Sequence, residues 1–366
     1  MRLSVIGLSL LLAASIAPAA NLDLGPTAQT GQPPLQSVGP IAFGPDGVLF
    51  VADAESAAVF AIETGDTEAA TSTSYLVEGL DAKLAAVLGA SSDSVVIHDL
   101  AVNPASGRAY LSITRGAGDD ATPVLARVEP GGEISVLELE QVRYAKAELP
   151  NPVGEEAKDR RGRPLRQEAI TDIAYSDGKL LVTGLSNEEF SSNLRTLQFP
   201  FDGVGKGASI EVYHGAHGQW ETHAPVRTMT TIEIDDQSHV LAAYTCTPLV
   251  TFPVDELTDG TKVTGSTVAE LGNRNRPLDM FVYAKDGKDW LLIANSSRGV
   301  MKVDLASLGP QRKAPITEPI EDTAGLEYET IASLTGIEQL DRLGSEHALV
   351  LERGDSGVKL RSIALP

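Results

Sequence analysis

The sequence predicts an all-β fold: a β-propeller, most simply of six four-stranded blades, with seven as the alternative count. Three observations point there. A unit of two short apolar strands around a tight turn recurs six times along 366 residues. Gly and Pro are frequent, at 34 and 21 copies, and so supply many turns. Aromatic residues are only 5% of the chain, so the core must be built from Val, Leu, Ile and Ala, which suit many short half-buried strands. A four-stranded sheet cannot bury both of its faces alone, and radial stacking solves that problem.

The N-terminus precedes the repeat. Arg2 is followed by an uncharged apolar run from Leu3 to Ile16 and by the small residues Ala17-Pro18-Ala19. This is the pattern of a cleaved secretory signal, so residues 1–20 are assigned to a signal peptide and 21–366 to a single propeller domain. The run is short for a membrane anchor, no later stretch is apolar enough to span a bilayer, and no lipobox-like Cys follows. The protein is therefore expected in the periplasm or outside the cell.

The first copy reads Pro40-Ile41-Ala42-Phe43, a turn at Asp46-Gly47, then Val48-Leu49-Phe50-Val51, with a third strand over 58–62. The second runs from Asp99 to Val102, turns near Ser106-Gly107, and returns over 109–111. Asp172 to Tyr175, Asp177-Gly178 and 180–182 make the third. The fourth spans Thr231 to Ala242, the fifth Asp279 to Ile293 around Asp286-Gly287, and the sixth Gly336 to Val350. Asp-Gly pairs accept the positive φ of tight hairpins. Fainter fourth strands fall at 74–77, 134–137, 210–213 and 267–270, expected in blades one to four in that order. The longest gap, between copies two and three, holds 141–167 with its charged Asp159-Arg160-Arg161-Gly162-Arg163-Pro164, and is expected to be an inserted loop. The last blade lacks a fourth strand, which residues 22–37 are expected to lend.

The units Gly39 to Asp53 and Thr171 to Gly178 resemble blades of the NHL-repeat and gluconolactonase-like propeller superfamily, and at blade level the resemblance covers most of the mature chain. It implies the fold and leaves function open, since this fold hosts enzymes, carriers and scaffolds.

Composition narrows the partners. A net charge of −21 argues against nucleic acid and against anionic lipid surfaces, both of which call for clustered Lys and Arg. The single cysteine, Cys246, excludes an internal disulfide. A small molecule or an envelope protein is the expected partner.

Two constellations carry candidate chemistry. Three of the six histidines, His214, His217 and His223, crowd into Tyr-His-Gly-Ala-His-Gly-Gln-Trp-Glu-Thr-His between blades three and four. By the repeat, Cys246 and His98 fall on the same loop face. Imidazole and thiolate together suit Cu or Zn. The alternative is a polar loop whose histidines bond to backbone or solvent. Secondly, Asp99, Asp172 and Asp279 occupy one blade position just before the inner strand and should converge on the central channel. With Asn187 and Asn295 from strand-two-to-three loops they could ligate Ca²⁺ or Mg²⁺. This is similar to the acidic central site of gluconolactonase-type lactonases, although that family's full Glu, Asn, Asn, Asp set has no one-to-one counterpart here. The alternative is that the aspartates bond turn amides and hold blades together. Arg115, Arg298 and Arg353 could form a cationic rim for a carboxylate.

The sequence shows no Gly-x-Ser-x-Gly elbow, phosphate-binding loop or haem-attachment motif. Two functions from different classes remain. One is a propeller that binds a metal or small ligand on its loop face, with metal-dependent lactone or ester hydrolysis as its enzymatic form. The other is a non-catalytic envelope scaffold.

Overall fold

A computed structural model describes residues 22–366. The proposed signal peptide lies outside the described residues. Within them, six antiparallel sheets stand around a central channel as a six-bladed propeller. No helix among them is long and apolar enough to cross a membrane.

The expected turns hold the innermost hairpins. Asp46-Gly47, Asp177-Gly178 and Asp286-Gly287 all take positive φ, between 50° and 75°, and Asp235-Asp236 does the same in the fourth blade. These are the dihedrals that let a two-residue turn match the twist of its strands.

Blade 1 contains Ile41–Phe43, Val48–Asp53 and Ala58–Glu63; blade 2 contains Val95–Val102, Ala109–Arg115, Thr122–Val128 and Ile134–Val136. Blade 3 is Asp172–Ser176, Lys179–Leu185, Ser192–Gln198 and Ala208–His214, and blade 4 is Thr228–Ile234, Gln237–Ala243, Pro248–Pro253 and Ser266–Glu270. Blade 5 is Pro277–Lys285, Lys288–Asn295, Gly299–Asp304 and Tyr328–Thr330; blade 6 is Ile337–Leu343, His347–Gly354 and Gly357–Ala364.

Two fourth strands differ from expectation. Leu76–Val77 pairs with Gly357–Ala364 and so completes blade 6, not blade 1. Blade 1 is completed by Val142–Glu148, from the stretch expected to be an inserted loop, and no seventh blade forms there. The N-terminal Gln29–Gly31 adds a fifth strand outside Val142–Glu148 instead of closing blade 6. Strands of two or three residues carry no periodicity of their own, so pairing partners decide where they go.

The ring order also departs from chain order. Inner strands of blades 1 and 3 are neighbours, and blade 2 stands between blades 6 and 1. The buried clusters agree. Leu49, Val51 and Phe60 of blade 1 pack on Ala101, Tyr110 and Leu125 of blade 2, while Phe50 and Val59 pack on Ile173 and Leu180 of blade 3. Leu349 and Leu351 of blade 6 pack on Leu100 and Leu111 of blade 2. The chain thus leaves blade 1 unfinished, fastens blade 6, builds blade 2 in the gap, and returns to finish blade 1. Such side-to-side burial of aliphatic faces is the main stabilising term, at roughly 25 cal/mol per Å² of apolar surface.

Residues 149–171 cross the channel face over blades 1 and 3. Arg166 pins them. Its guanidinium donates to the Glu55 carbonyl at 2.7 and 3.0 Å and to the Val153 carbonyl at 2.9 Å.

Candidate functional site

The channel carries four buried-edge carboxylates. Asp99, Asp172 and Asp279 line two cavities of about 390 and 490 Å³, one toward each face, and form the waist between them. Asp341 joins them from blade 6, lining the inner cavity. Each carboxylate uses both oxygens in the same way. One oxygen accepts the N–H of the next residue: Leu100, Ile173, Met280 and Arg342, at 2.6 to 2.8 Å. The other accepts an N–H from the adjoining blade. Asp99 takes Ile41 at 2.7 Å, Asp172 takes Met229 at 2.6 Å, Asp279 takes Leu340 at 2.8 Å and Asp341 takes Val102 at 2.7 Å. The aspartates are clasps between blades. Asn187 is exposed and does not line the channel, while Asn295 is buried and its side chain is spent on Asn275 and on the Ile293 and Gly299 carbonyls. The five residues expected to share a hard ion are therefore not gathered into one ligand shell.

Burial dominates the acidity of the clasps. It pushes Asp172 up to about 7 and Asp341 up to about 6 against the amide bonds that oppose it. Asp99 and Asp279 are raised well above the usual carboxylate range, first by burial and further by the neighbouring aspartates. A carboxyl raised in the folded state binds its proton more tightly there than when unfolded. The folded protein is therefore favoured while these groups are protonated, and that stability falls as pH rises from about 4, the ordinary value, to about 7. We expect the midpoint of thermal unfolding to be higher at pH 5.5 than at pH 8, with Asp172→Asn narrowing the difference. A midpoint that falls on acidification over this range would contradict the assignment.

The second constellation lies on the loop face between blades 3 and 4. The fourth strand of blade 3 ends at His214, turns through Gly215–His217, and folds back so that Gln219 pairs with His214 and Glu221 with Val212. Gly218 takes φ 63°, which closes the turn. This hairpin sets His214 and His217 side by side, with ring centroids 3.8 Å apart. Glu221 bridges them: its Oε2 lies 3.0 Å from His214 Nδ1 and its Oε1 2.6 Å from His217 Nδ1. Burial raises the Glu221 carboxyl, but the two imidazole bonds outweigh it and bring the group down to about 2. Glu221 stays ionised and holds both Nδ1 atoms, which leaves Nε2 of each ring for another partner. His214 Nε2 is buried and has none.

Cys246 arrives from blade 4, in the turn between Gln237–Ala243 and Pro248–Pro253. Cys246 and Thr247 both take positive φ, 65° and 61°, a conformation that is strained for a β-branched residue. Thr247 is anchored by its hydroxyl to the Gly272 carbonyl at 2.8 Å, and the Cys246 N–H donates to the Asn275 carbonyl at 2.7 Å. Asn295, by holding Asn275, supports that turn at one remove. The result places potential ligand atoms of His214, His217 and Cys246 within 4.8 Å of one another. Behind the turn, Glu270 accepts the Gly215 N–H at 2.5 Å and keeps its Oε2 buried without a partner. Burial raises the Glu270 carboxyl, opposed by His214 and the turn amides.

Two expected members stand apart. His98 is exposed at the channel mouth, with Nε2 2.7 Å from the Thr114 hydroxyl, and His223 pairs its Nδ1 with the Ser191 hydroxyl at 3.0 Å. Of the arginines expected at a rim, Arg353 is paired with Glu338 at 2.6 Å and Arg298 donates to the Asn273 carbonyl. Glu221 is the residue that sequence reasoning missed, although it lies within the histidine segment. Glu270 and Asp341 had no local signal.

No protein-family model matches the chain, and no curated protein matches it in sequence. Among solved structures, it is similar to a glucose dehydrogenase-type oxidoreductase from Thermus thermophilus, at 13% identity and a TM-score of 0.35 over 92% of this chain and 99% of that one. It is similar to the PQQ-bound aldose sugar dehydrogenase of Streptomyces coelicolor, at 11% identity and a TM-score of 0.32 over 92% and 97%. It is also similar to a GH43 glycoside hydrolase, at 9% identity and a TM-score of 0.35 over 81% and 52%. Scores this low carry nothing about activity. At the level of fold, the chain is a six-bladed β-propeller by its own sheets and their order.

Proposed function

We propose that this is an exported propeller that binds a copper or zinc ion on its loop face through His214, His217 and Cys246, and that its activity depends on that ion. One observation carries the reading: three soft ligands from two blades converge within 4.8 Å, one of them the buried His214, whose Nε2 has no partner. Glu221 supplies the support expected around such a site. A carboxylate on the far nitrogen fixes the tautomer and aims the near nitrogen at the ion. Two imidazoles and a thiolate suit Cu or Zn and disfavour Ca or Mg. Three protein ligands leave a coordination position open, and the exposed edge of His217 directs it toward solvent.

Copper is the better fit, because divalent affinity peaks there and a two-His, one-Cys set is typical of redox copper. This favours electron transfer or metal handling. Zinc at the same ligands would favour Lewis-acid hydrolysis at the open position. The lactonase form with a hard ion in the channel is the less favoured reading, because the channel aspartates already accept main-chain N–H groups from adjoining blades.

Glu221→Gln tests the support directly. It is expected to weaken metal binding by about 10- to 100-fold in chelator competition while leaving the three ligands in place. Unchanged affinity would remove Glu221 from the site.

A further inference from the structure

In a chain of net charge −21, one concave patch beside the channel mouth is charged in the opposite sense. An open cavity of about 540 Å³ beside it is lined by five arginines, Arg160, Arg161, Arg163, Arg227 and Arg276, against two carboxylates, Asp159 and Glu168. Those two carboxylates are already engaged. Asp159 pairs with Arg163 at 2.6 Å and Glu168 with Arg227 at 2.7 Å. Arg160, Arg161 and Arg276 make no ion pair among the described residues, so the cavity keeps an excess of positive charge.

The arginines come from separate parts of the fold. Arg160, Arg161 and Arg163 sit on the tight turn where Lys158 bridges to Pro164, held over the channel face by the Arg166 bonds. Arg227 and Arg276 come from the loops that lead into the inner strands of blades 4 and 5. Arg276 is exposed, and partial desolvation of its guanidinium by the surrounding loops, with the nearby charge of Arg227, lowers its pKa from the ordinary value. Holding guanidinium groups together without a counter-ion is unfavourable, and a planar anion gripped bidentately removes that penalty. A concave site lined by one sign of charge also concentrates counter-ions.

We propose that this cavity binds a small, multiply charged carboxylate or phosphate compound, with its anionic head on Arg160, Arg161 and Arg276. The cavity shares Glu168, Arg227 and Arg276 with the 390 Å³ cavity at the channel mouth, which receives the rest of the ligand. The arginines hold the anionic head, so the end turned toward the waist is the uncharged part of the ligand. Size favours a small solute over a protein segment. The site is independent of the metal reading, although Thr245, on its wall, directly precedes Cys246.

Isothermal titration of the purified protein with citrate and with inorganic phosphate tests this, with glycerol as the neutral control. We expect one equivalent of citrate or phosphate to bind, more weakly as salt is raised, and no glycerol heat. Which anion binds better separates the carboxylate from the phosphate source. Arg276→Gln should weaken binding about tenfold or more, the loss of a charge-assisted pair. Its unfolding midpoint and metal content should match the parent, because Arg276 holds no ion pair. No heat from either anion at millimolar concentration, equal binding by Arg276→Gln, or binding of an acidic peptide where citrate fails would overturn the proposal.

Discussion

Cys246→Ser is expected to weaken the affinity of the protein for Cu or Zn by about a hundredfold or more, with the fold intact. A serine hydroxyl does not ionise near neutral pH, so the site loses its only anionic soft ligand and keeps two neutral imidazoles. Serine is close to cysteine in size and can adopt the same turn, whose position is set by the Cys246 N–H bond to Asn275 and by Thr247 bonded to Gly272. The change in stability should stay within about 1 kcal/mol. Two readouts separate loss of the ligand from loss of the fold. Chelator competition reports affinity, and the thiolate-to-copper charge-transfer absorbance reports the Cu–S bond itself. Equal affinity in the serine variant would leave the histidines bonded to Glu221 for structural reasons alone.

Asp341→Ala is expected to be among the most destabilising single changes in the ring, at about 3 kcal/mol near pH 5. The carboxylate ties blade 6 to blade 2 through the Val102 N–H, and blade 2 is the blade inserted out of chain order. Removing it leaves the Val102 and Arg342 amides without their acceptor, and Val102 is buried. The loss should shrink by pH 8. There the parent already carries the penalty of a buried charge on Asp341, whose carboxyl is pushed up to about 6, and the variant does not. Denaturant unfolding at the two pH values measures both parts. A loss that grows with pH, or no loss at all, would mean that the clasp does not hold the ring closed.

The legible parts of this protein are those written in local chemistry. Asp46-Gly47, Asp177-Gly178 and Asp286-Gly287 announce hairpins because few other pairs accept positive φ twice. The aspartates before the inner strands of blades 2, 3 and 5 are legible as channel residues because the repeat gives their register. What those aspartates do was open, between ion ligand and clasp, because the deciding contacts are main-chain amides some 60 residues away in sequence, such as Ile41 with Asp99. Asp341 was hidden because it sits farther along its strand than the repeat frame suggests: the register shift that precedes Asp99 and Asp279 precedes Gln339 in blade 6. The blade order was hidden because Leu76–Val77 and Val142–Glu148 are placed by distant partners and not by their own pattern.

At the candidate metal centre, the histidine segment was visible from density of residue type alone. The division within it was not. His214 and His217 meet Cys246 because a hairpin reverses the chain between them, while His223 lies beyond that reversal against Ser191. Glu221 became identifiable as the orienting group only when both Nδ1 distances were known. The arginines at the channel mouth are likewise scattered in sequence and gather only through the loop pinned by Arg166.

The most direct test is the metal content of the intact protein, measured by elemental mass spectrometry as purified and again after chelation and reloading. Copper or zinc is expected near one equivalent per chain, removed by chelation, regained on reloading, and lost in His217→Ala. A protein that holds neither metal as purified and takes up neither on reloading would contradict a metal centre at His214, His217 and Cys246.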